Sequence, residues 1–418
     1  MVSFILPIIW SLAVLYKLKY KKNVYGLLFL SLIIPPTINI VNSRINTMYY
    51  LCIFLMLMIV GKRLIIGKIF LNNAIVMTSV ITFYFIAWGL KGSGSFFYEF
   101  IGDIKFIVLL IEFAIIMKNA KCEEIDAGFQ WALKFSTVIN FLVVIGTFII
   151  PMEITNLVLL FYYNDDTINS IDNFVDGRLA RAYGVFNHPA VLSIFSLMVF
   201  FYFFKRHYEN KKNIIYMIMA LIMGMSAYSK TFILGMPIIF LIWMIFNIKN
   251  IKIFILFNAL LCILMGIYAN FEIVIERIRD INPVLAYYMN YLNHPIEALA
   301  TRYSPQTGNM VPMYYIIRQN LLIGVGPNPI GTETVVDSAP LVIIHNGGLL
   351  ALSLILAMYI VLLSKSIQIK NDVLLCFLFI IILSGLALPT WIFHQATFIM
   401  LVYIIIILSK SKNKILCR

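Results

Sequence analysis

The chain has 418 residues, of which 62% are hydrophobic and 12% are charged. Soluble domains carry about 25% charged residues, so this composition excludes an ordinary soluble fold and predicts a protein that has the lipid bilayer as its solvent. The formal net charge is +13. Because the Lys and Arg residues fall in short clusters between apolar runs, they indicate membrane topology and not a nucleic-acid-binding surface.

Apolar segments follow one another along most of the chain, each close to the length that crosses a bilayer. They are predicted at 2–16, 24–41, 47–60, 74–90, 104–117, 128–150, 188–204, 214–228, 231–247, 253–270, 341–363, 373–387 and 393–408. The predicted fold class is all-α, a polytopic transmembrane helical bundle of about 12–14 spans. It forms a single integral membrane domain over residues 1–418, and no strands are expected.

The basic residues predict the orientation of these segments. With the cluster of lysines at 17–22 on the cytoplasmic side, alternate connections hold 21 basic residues inside and 10 outside. This excess agrees with the positive-inside rule. Two long connections, 151–187 and 271–340, are therefore predicted to be extracytoplasmic loops. Within the second loop, an apolar and aromatic stretch from Pro283 to Tyr303 predicts a helix that lies on the membrane surface.

No metal site, cofactor or disulfide is predicted. The 5 cysteines fall in predicted spans or cytoplasmic segments and form no CxxC or Cys/His zinc spacing. Four aspartates of the first loop do not fit a calcium-binding loop and are interpreted as a solvated acidic surface; they are Asp165, Asp166, Asp172 and Asp176.

Three cations stand where the first loop and a later tight turn meet predicted spans. Arg178 and Arg181 lie three residues apart beside glycines, and Lys230 lies in the turn between two apolar runs. Guanidinium groups bind phosphate oxygens in a bidentate manner, so this pattern favours a phosphate clamp. Anchoring of helix ends at the membrane interface is the alternative for each of the three.

The end of the second loop holds the other candidate residues. Arg302 and Arg318 are further cations, and Gly324 and Gly326 can offer backbone N–H groups to an anion, although a lone glycine pair is a weak signal. His345 opens the next predicted span.

In order and placement, these features resemble the O-antigen ligase and polymerase family of membrane glycosyltransferases. The resemblance covers residues 175–365. Its first element is similar to Arg-x-x-Gly-x-Phe-x-x-Pro, here Arg181 to Pro189, and its second is similar to a Ser-Arg turn, here Ser229-Lys230 with Lys in place of Arg. The third looks like Arg followed by Asn-x-Leu-x-Gly-x-Gly, here Arg302 and the run from Asn320 to Gly326.

A fourth element of the family separates ligases from polymerases. Ligases resemble one another in a His, a polar residue, nine residues and a Gly, and the matching frame here is Asp337-Ser338 with Gly348. Asp in place of His favours the polymerase branch. The alternatives are a ligase that delivers finished glycan to another acceptor, and a lipid-linked oligosaccharide flippase or other transporter.

The resemblance implies a polymerase of undecaprenyl-diphosphate-linked oligosaccharide repeat units. Its active site would face the periplasm or the cell exterior from the cytoplasmic membrane, and the products are O-antigen, capsular or exopolysaccharide. The cations would stabilise the leaving diphosphate without a metal, and Asp337 would accept the acceptor hydroxyl proton, with His345 and His188 in reserve. Implied partners are the lipid-linked oligosaccharide, membrane lipid, and as candidates a chain-length regulator and a flippase.

Overall fold

The computed structural model of the chain describes residues 24–34, 38–40, 43–45, 122–161, 181–186, 188–255, 257–259, 270–281, 311–325, 338–386, 398–404 and 406–407, and the isolated residues 9, 12–13, 266, 286 and 303–304. The described helices are α1 Val24–Ile33, α2 Cys122–Ile149, α3 Pro151–Phe161, α4 Pro189–Arg206, α5 Ile214–Ser226, α6 Lys230–Phe246, α7 Phe271–Ile281, α8 Val311–Gln319, α9 Ala339–Gln368 and α10 Asp372–Gly385. Short 3-10 helices occur at Gly184–Phe186 and Lys211–Asn213.

Three of these helices, α2, α4 and α9, are long and apolar enough to cross a membrane, judged by length and composition. They coincide closely with the predicted segments 128–150, 188–204 and 341–363. Helices α5, α6 and α10 lie where segments 214–228, 231–247 and 373–387 are predicted, and α6 and α10 are apolar but shorter. The predicted segments 47–60, 74–90 and 104–117 lie outside the described residues.

The predicted segment 24–41 is wrong in its second half. Helix α1 ends at Ile33, shortly before Pro35-Pro36, since proline has no N–H to continue the helical hydrogen bonds and disfavours helix in the residue before it. The chain then forms an antiparallel hairpin of β1 Ile38–Ile40 and β2 Ser43–Ile45, with Asn39 opposite Arg44. The expectation that the chain has no strands is therefore corrected at this point.

Helices α5, α6 and α10 pack around α4, which is buried along most of its length. A helix that is apolar all round is expected in such a central position. The start of α4 is set by His188, whose ring Nδ1 accepts a hydrogen bond from the Ala190 N–H, and by Pro189 at the first helical position. Lys205 and Arg206 occupy its last turn, where cations complement the helix dipole.

Two ion pairs mark one end of this bundle, which we call the ion-pair end. Arg206 Nη2 contacts both carboxylate oxygens of Asp126 on α2, at 2.6 and 2.7 Å. Lys205 Nζ lies 3.0 Å from Asp372 Oδ2 at the start of α10. A helix of 18 residues is about 27 Å long, so the start of α4 and the turn between α5 and α6 form the opposite end. We call that end the arginine end, after Arg181.

The two predicted loops contain helices where the structure describes them. Helix α3 lies within 151–187, and α7 and α8 lie within 271–340. Helix α7 is amphipathic: Phe271 and Ile275 are buried together with Ala286, whereas its charged residues are exposed. Most of the stretch predicted to lie on the membrane surface, Pro283 to Tyr303, falls outside the described residues.

Candidate functional site

Residues 181–186, which we call the strap, cross the arginine end of the bundle. The Ala182 N–H donates to the Ser226 carbonyl at 2.9 Å, and Arg181 Nε donates to the Ala227 carbonyl at 3.2 Å. Ser226 and Ala227 end helix α5 and begin the turn that leads into α6. The strap is thereby tied to a turn that lies 46 residues away in sequence.

The same turn carries Lys230. Ser229 caps α6 through its hydroxyl, which accepts from the Thr231 N–H at 3.2 Å, and Lys230 is the first residue of that helix. Tyr228 turns the chain with a left-handed backbone, φ 42°. Lys230 is therefore three residues beyond the Ala227 carbonyl that Arg181 contacts. The structure thus brings two of the sequence-predicted cationic elements, Arg181 and the turn of Lys230, to the same end of the bundle.

The strap is held from below by helix α2. The carboxamide of Asn140 accepts a hydrogen bond from the Val185 N–H at 2.9 Å and donates one to the Ser136 carbonyl at 2.9 Å. Gly184 makes this approach possible: its φ is +59°, and a Cβ there would stand 2.3 Å from Asn140 Oδ1. A side chain at position 184 would thus be excluded by both conformation and space.

Tyr183 ties the strap to helix α3. Its hydroxyl is 2.5 Å from Thr155 Oγ1, and the side chain is fully buried. Burial raises the pKa of Tyr183, against the opposing effect of its hydrogen bonds with Thr155 and Thr147. The phenol therefore stays protonated at neutral pH and serves as a structural contact of the strap.

A second structured region is the interlock, formed by residues 320–325 against residues 345–350 of α9. Helix α9 is broken at Gly348, where φ is 69° and ψ is −170°. The N–H groups of Leu349 and Leu350 donate to the carbonyls of Leu321 and Leu322, at 2.9 and 3.3 Å. Residues 321 and 322 thus pack directly against the break at Gly348.

The interlock also determines the surroundings of Gly324. Its N–H donates to the Asn320 carbonyl at 2.8 Å, and the N–H of Val325 donates to the His345 carbonyl at 2.7 Å. Both N–H groups are thus taken by protein carbonyls. Gly324 is explained by packing against the break in α9, without an anion on its backbone.

His345 is buried in the first half of α9, with 4% of its surface exposed. Its Nδ1 lies 2.7 Å from Asn346 Oδ1, and since a carboxamide oxygen only accepts, Nδ1 is the donor in this contact. Nε2 has no hydrogen-bond partner among the residues that the structure describes. The same holds for the buried hydroxyl of Ser338, which stands at the N-cap position of α9 without a capping hydrogen bond.

Of the remaining candidate residues from the sequence, the structure describes Arg318 and His188. Arg318 is exposed near the end of α8, a helix whose Met313 and Ile317 pack against residues 341–344 of α9. His188 uses its Nδ1 to cap α4. Four candidates lie outside the described residues, so their positions stay predictions: Arg178, Arg302, Gly326 and Asp337.

No protein-family model matches the chain, and no curated protein matches it either. Within the described ranges, no three His, Cys, Asp or Glu side chains cluster as metal ligands would. What the arrangement offers chemically is a pair of cations at the arginine end, on backbone that is held by hydrogen bonds from α2, α3 and α5. Such preorganised cations suit the stabilisation of an anionic group.

Sequence reasoning did not single out Asn140, Thr155 or Tyr183, which hold the strap. A signal was present for Asn140, because an amide side chain within an apolar helix is costly unless it is hydrogen-bonded. For Thr155 and Tyr183 the sequence carries no comparable signal, since both residue types are common at helix ends and interfaces.

Proposed function

We propose that the chain is a membrane glycosyltransferase that polymerises oligosaccharide repeat units carried on undecaprenyl diphosphate. The observation that carries this proposal is the contact of Arg181 with the turn of Lys230. Two cations from separate parts of the sequence come to one end of the bundle, as the binding of a diphosphate requires. The resemblance of the motifs around Arg181, Lys230 and Gly324 to the O-antigen polymerase and ligase family supports the same function.

In the proposed reaction a hydroxyl oxygen of the acceptor repeat unit attacks C1 of the reducing-end sugar of the donor. A glycosidic bond forms, the bond from C1 to the diphosphate oxygen breaks, and the diphosphate leaves with the bonding electrons. Arg181 and Lys230, with Arg178, Arg302 and Arg318 as further candidates, stabilise that leaving charge. Asp337 is proposed to take the hydroxyl proton, and His345 and His188 are the other candidate bases.

The cationic site is proposed to open on the outer side of a polytopic membrane protein. This orientation is supported by the excess of basic residues on the opposite side, 21 against 10. Because α4 and α5 run in opposite directions, the basic residues that connect them lie at the end opposite to Arg181 and the turn of Lys230. The proposed location is the cytoplasmic membrane, with the site facing the periplasm or cell exterior.

The orientation predicts the labelling of single cysteines in intact cells by an impermeant thiol reagent. Cysteines placed at Asp172 and Asn309 are expected to react, and cysteines at Lys211 and Arg418 are expected to react only after the membrane is permeabilised. The parent chain with its native cysteines removed is the control. Reaction at position 211 in intact cells would show that the proposed orientation is inverted.

The cationic site predicts the effect of replacing Arg181. With purified protein and lipid-linked repeat units, Arg181→Ala is expected to lower the rate of chain elongation about 10²- to 10³-fold, the usual cost of one preorganised charge-stabilising group. Arg181→Lys is expected to recover part of that loss, because the charge is kept and the bidentate fork is lost. The matched control is Arg277→Ala, which removes an exposed arginine of α7 and should leave the rate unchanged.

Two results would contradict these proposals in different ways. Normal elongation by both Arg181 variants would remove Arg181 from the reaction and leave anchoring as its role. Transfer of finished glycan to a non-repeat acceptor by the parent protein, without elongation, would identify a ligase in place of a polymerase.

A flippase is the second candidate function, and the break in α9 favours it. Transporters often bind their cargo where a spanning helix is discontinuous, and α9 is both long enough to span and broken at Gly348. Reconstitution in liposomes separates the two functions. A polymerase lengthens lipid-linked repeat units, whereas a flippase moves them between leaflets without lengthening them.

A further inference from the structure

Helix α2 carries a buried polar face in the half that lies nearer the arginine end. Ser136, Asn140 and Thr147 are each 0% exposed, although α2 is apolar enough to cross a membrane. Ser136 Oγ donates to the Leu133 carbonyl and Thr147 Oγ1 donates to the Val143 carbonyl, both within α2. Thr147 also hydrogen-bonds to the Tyr183 hydroxyl of the strap. Asn140 differs because its amide oxygen accepts from the backbone of the strap, at the Val185 N–H.

Both the nitrogen and the oxygen of the Asn140 carboxamide form hydrogen bonds. The nitrogen donates to the Ser136 carbonyl of α2, which fixes the orientation of the amide, and the oxygen is thereby aimed at the Val185 N–H. An apolar side chain of equal size would leave that buried N–H without its acceptor, which destabilises the observed position of the strap.

The strap transmits this contact to the cation. Arg181 lies four residues before Val185, and between them Ala182 is bonded to the Ser226 carbonyl and Gly184 lies against the Asn140 oxygen. Because the strap is short and is hydrogen-bonded at Ala182 and at Val185, its position on the bundle is fixed. A shift of Val185 relative to α2 therefore also shifts the backbone of Arg181, from which the side chain reaches the Ala227 carbonyl.

We propose that Asn140 is a positioning residue for Arg181, and that its hydrogen bond to Val185 sets the register of the strap on which the diphosphate-binding guanidinium is held. The test that measures elongation rests on the proposed function. The test that measures hydrogen exchange of the strap does not depend on any activity.

The first test is amide hydrogen exchange of the detergent-solubilised full chain, followed by mass spectrometry of peptides that cover residues 181–188. In Asn140→Leu, exchange in this region is expected to be about tenfold faster or more, from the loss of one buried hydrogen bond. The matched control is Thr137→Val, which removes a buried hydroxyl on the same helix, bonded only to the Leu133 carbonyl at 2.6 Å in the described structure. Exchange of the strap in that control should equal that of the parent.

A second variant keeps the test decisive if Asn140→Leu does not fold. A protonated carboxyl has one accepting and one donating oxygen, as the carboxamide has one acceptor and one donor, and burial in apolar surroundings favours the protonated form. In Asn140→Asp the strap is expected to stay protected while the carboxyl is protonated. As the pH rises the group loses the proton that it donates to the Ser136 carbonyl, the two oxygens repel each other, and the displaced carboxylate is expected to leave the strap less protected. The parent, corrected for intrinsic exchange, should not show that pH dependence.

The second test is a double-mutant cycle on elongation. Asn140→Leu is expected to lower kcat about 10²-fold, the usual cost of a displacement of about 1 Å at a reacting group. In the Arg181→Ala background the same substitution should change kcat by less than about twofold, since the group that it positions is already absent. A purely structural role would reduce the amount of active protein by the same factor in both backgrounds.

The outcomes distinguish this inference from the proposed function. Unchanged exchange of the strap in both Asn140 variants, or equal fold-losses in the two backgrounds of the cycle, would overturn the positioning role. A third outcome is a parent protein that elongates no repeat units while Asn140→Leu still shows faster exchange of the strap. That combination would support the hydrogen bond between Val185 and Asn140 and overturn the polymerase.

Discussion

Replacing Gly348 with alanine is expected to destabilise the protein by at least about 3 kcal/mol. The backbone at Gly348 has φ 69° and ψ −170°, a region that only glycine occupies at low cost. An added Cβ would also stand 2.1 Å from the Leu322 carbonyl oxygen. Because this oxygen already accepts from the Leu350 N–H, relief of the clash would break the interlock. The measurement is the thermal unfolding of the purified protein in detergent.

The matched control for this prediction is Gly266→Ala. Nothing stands within 4 Å of the position that its Cβ would take, so the substitution should change the stability little or raise it slightly, as alanine is the better helix former. Equal melting temperatures for Gly348→Ala and the parent would show that the break in α9 is not part of the stable fold.

Replacing Arg206 with alanine is expected to cost about 3 kcal/mol or more of stability. The side chains of Arg206 and Asp126 are only 19% and 14% exposed, so removal of one partner leaves the other as an uncompensated charge in a poorly solvated place. Arg206 also lies over the ring of Tyr202, 5.1 Å from its centroid, and this contact would be lost as well. The same unfolding measurement tests the loss.

Lys205→Ala provides the control at the neighbouring position. The Lys205 side chain is 55% exposed, so its ion pair with Asp372 should contribute only about 0–1 kcal/mol. The double exchange Asp126→Arg with Arg206→Asp is expected to recover part of the stability lost in Arg206→Ala. Equal losses for Lys205→Ala and Arg206→Ala would contradict the assignment of the Asp126 pair as the stabilising one.

Much of the helical fold could be predicted from the sequence because its signals are local. Apolar runs predicted helices where α2, α4, α5, α6, α9 and α10 are observed. The ends follow from capping residues and prolines near the boundaries, as His188 with Pro189 shows for α4. The segment 24–41 failed for a related reason: its apolar composition was read as one span, although Pro35-Pro36 favoured a break after α1.

For the candidate site, the sequence indicated several of the residues but not their hydrogen-bond partners. Flanking glycines singled out Arg181 from the sequence, and a tight turn between two apolar runs singled out Lys230. Gly324 and Gly348 were recognised from their spacing. Their partners were not predictable, because the Ala227 carbonyl lies 46 residues from Arg181 and the Leu321 carbonyl meets α9 only through the folded chain.

Local chemistry therefore determined the helical class, the approximate positions of α2, α4, α5, α6, α9 and α10, and the cationic candidates, since apolar runs, prolines and capping residues act over a few neighbouring residues. Tertiary structure alone decided that the strap contacts the turn before α6, that Asn140 meets Val185, and that the break in α9 is closed by residues 320–325. The physical reason is that each of these hydrogen bonds has at least one backbone N–H or carbonyl as a partner, and almost every residue possesses these groups. Which donor meets which acceptor is set by the packing of helices distant in sequence and leaves little trace in residue type.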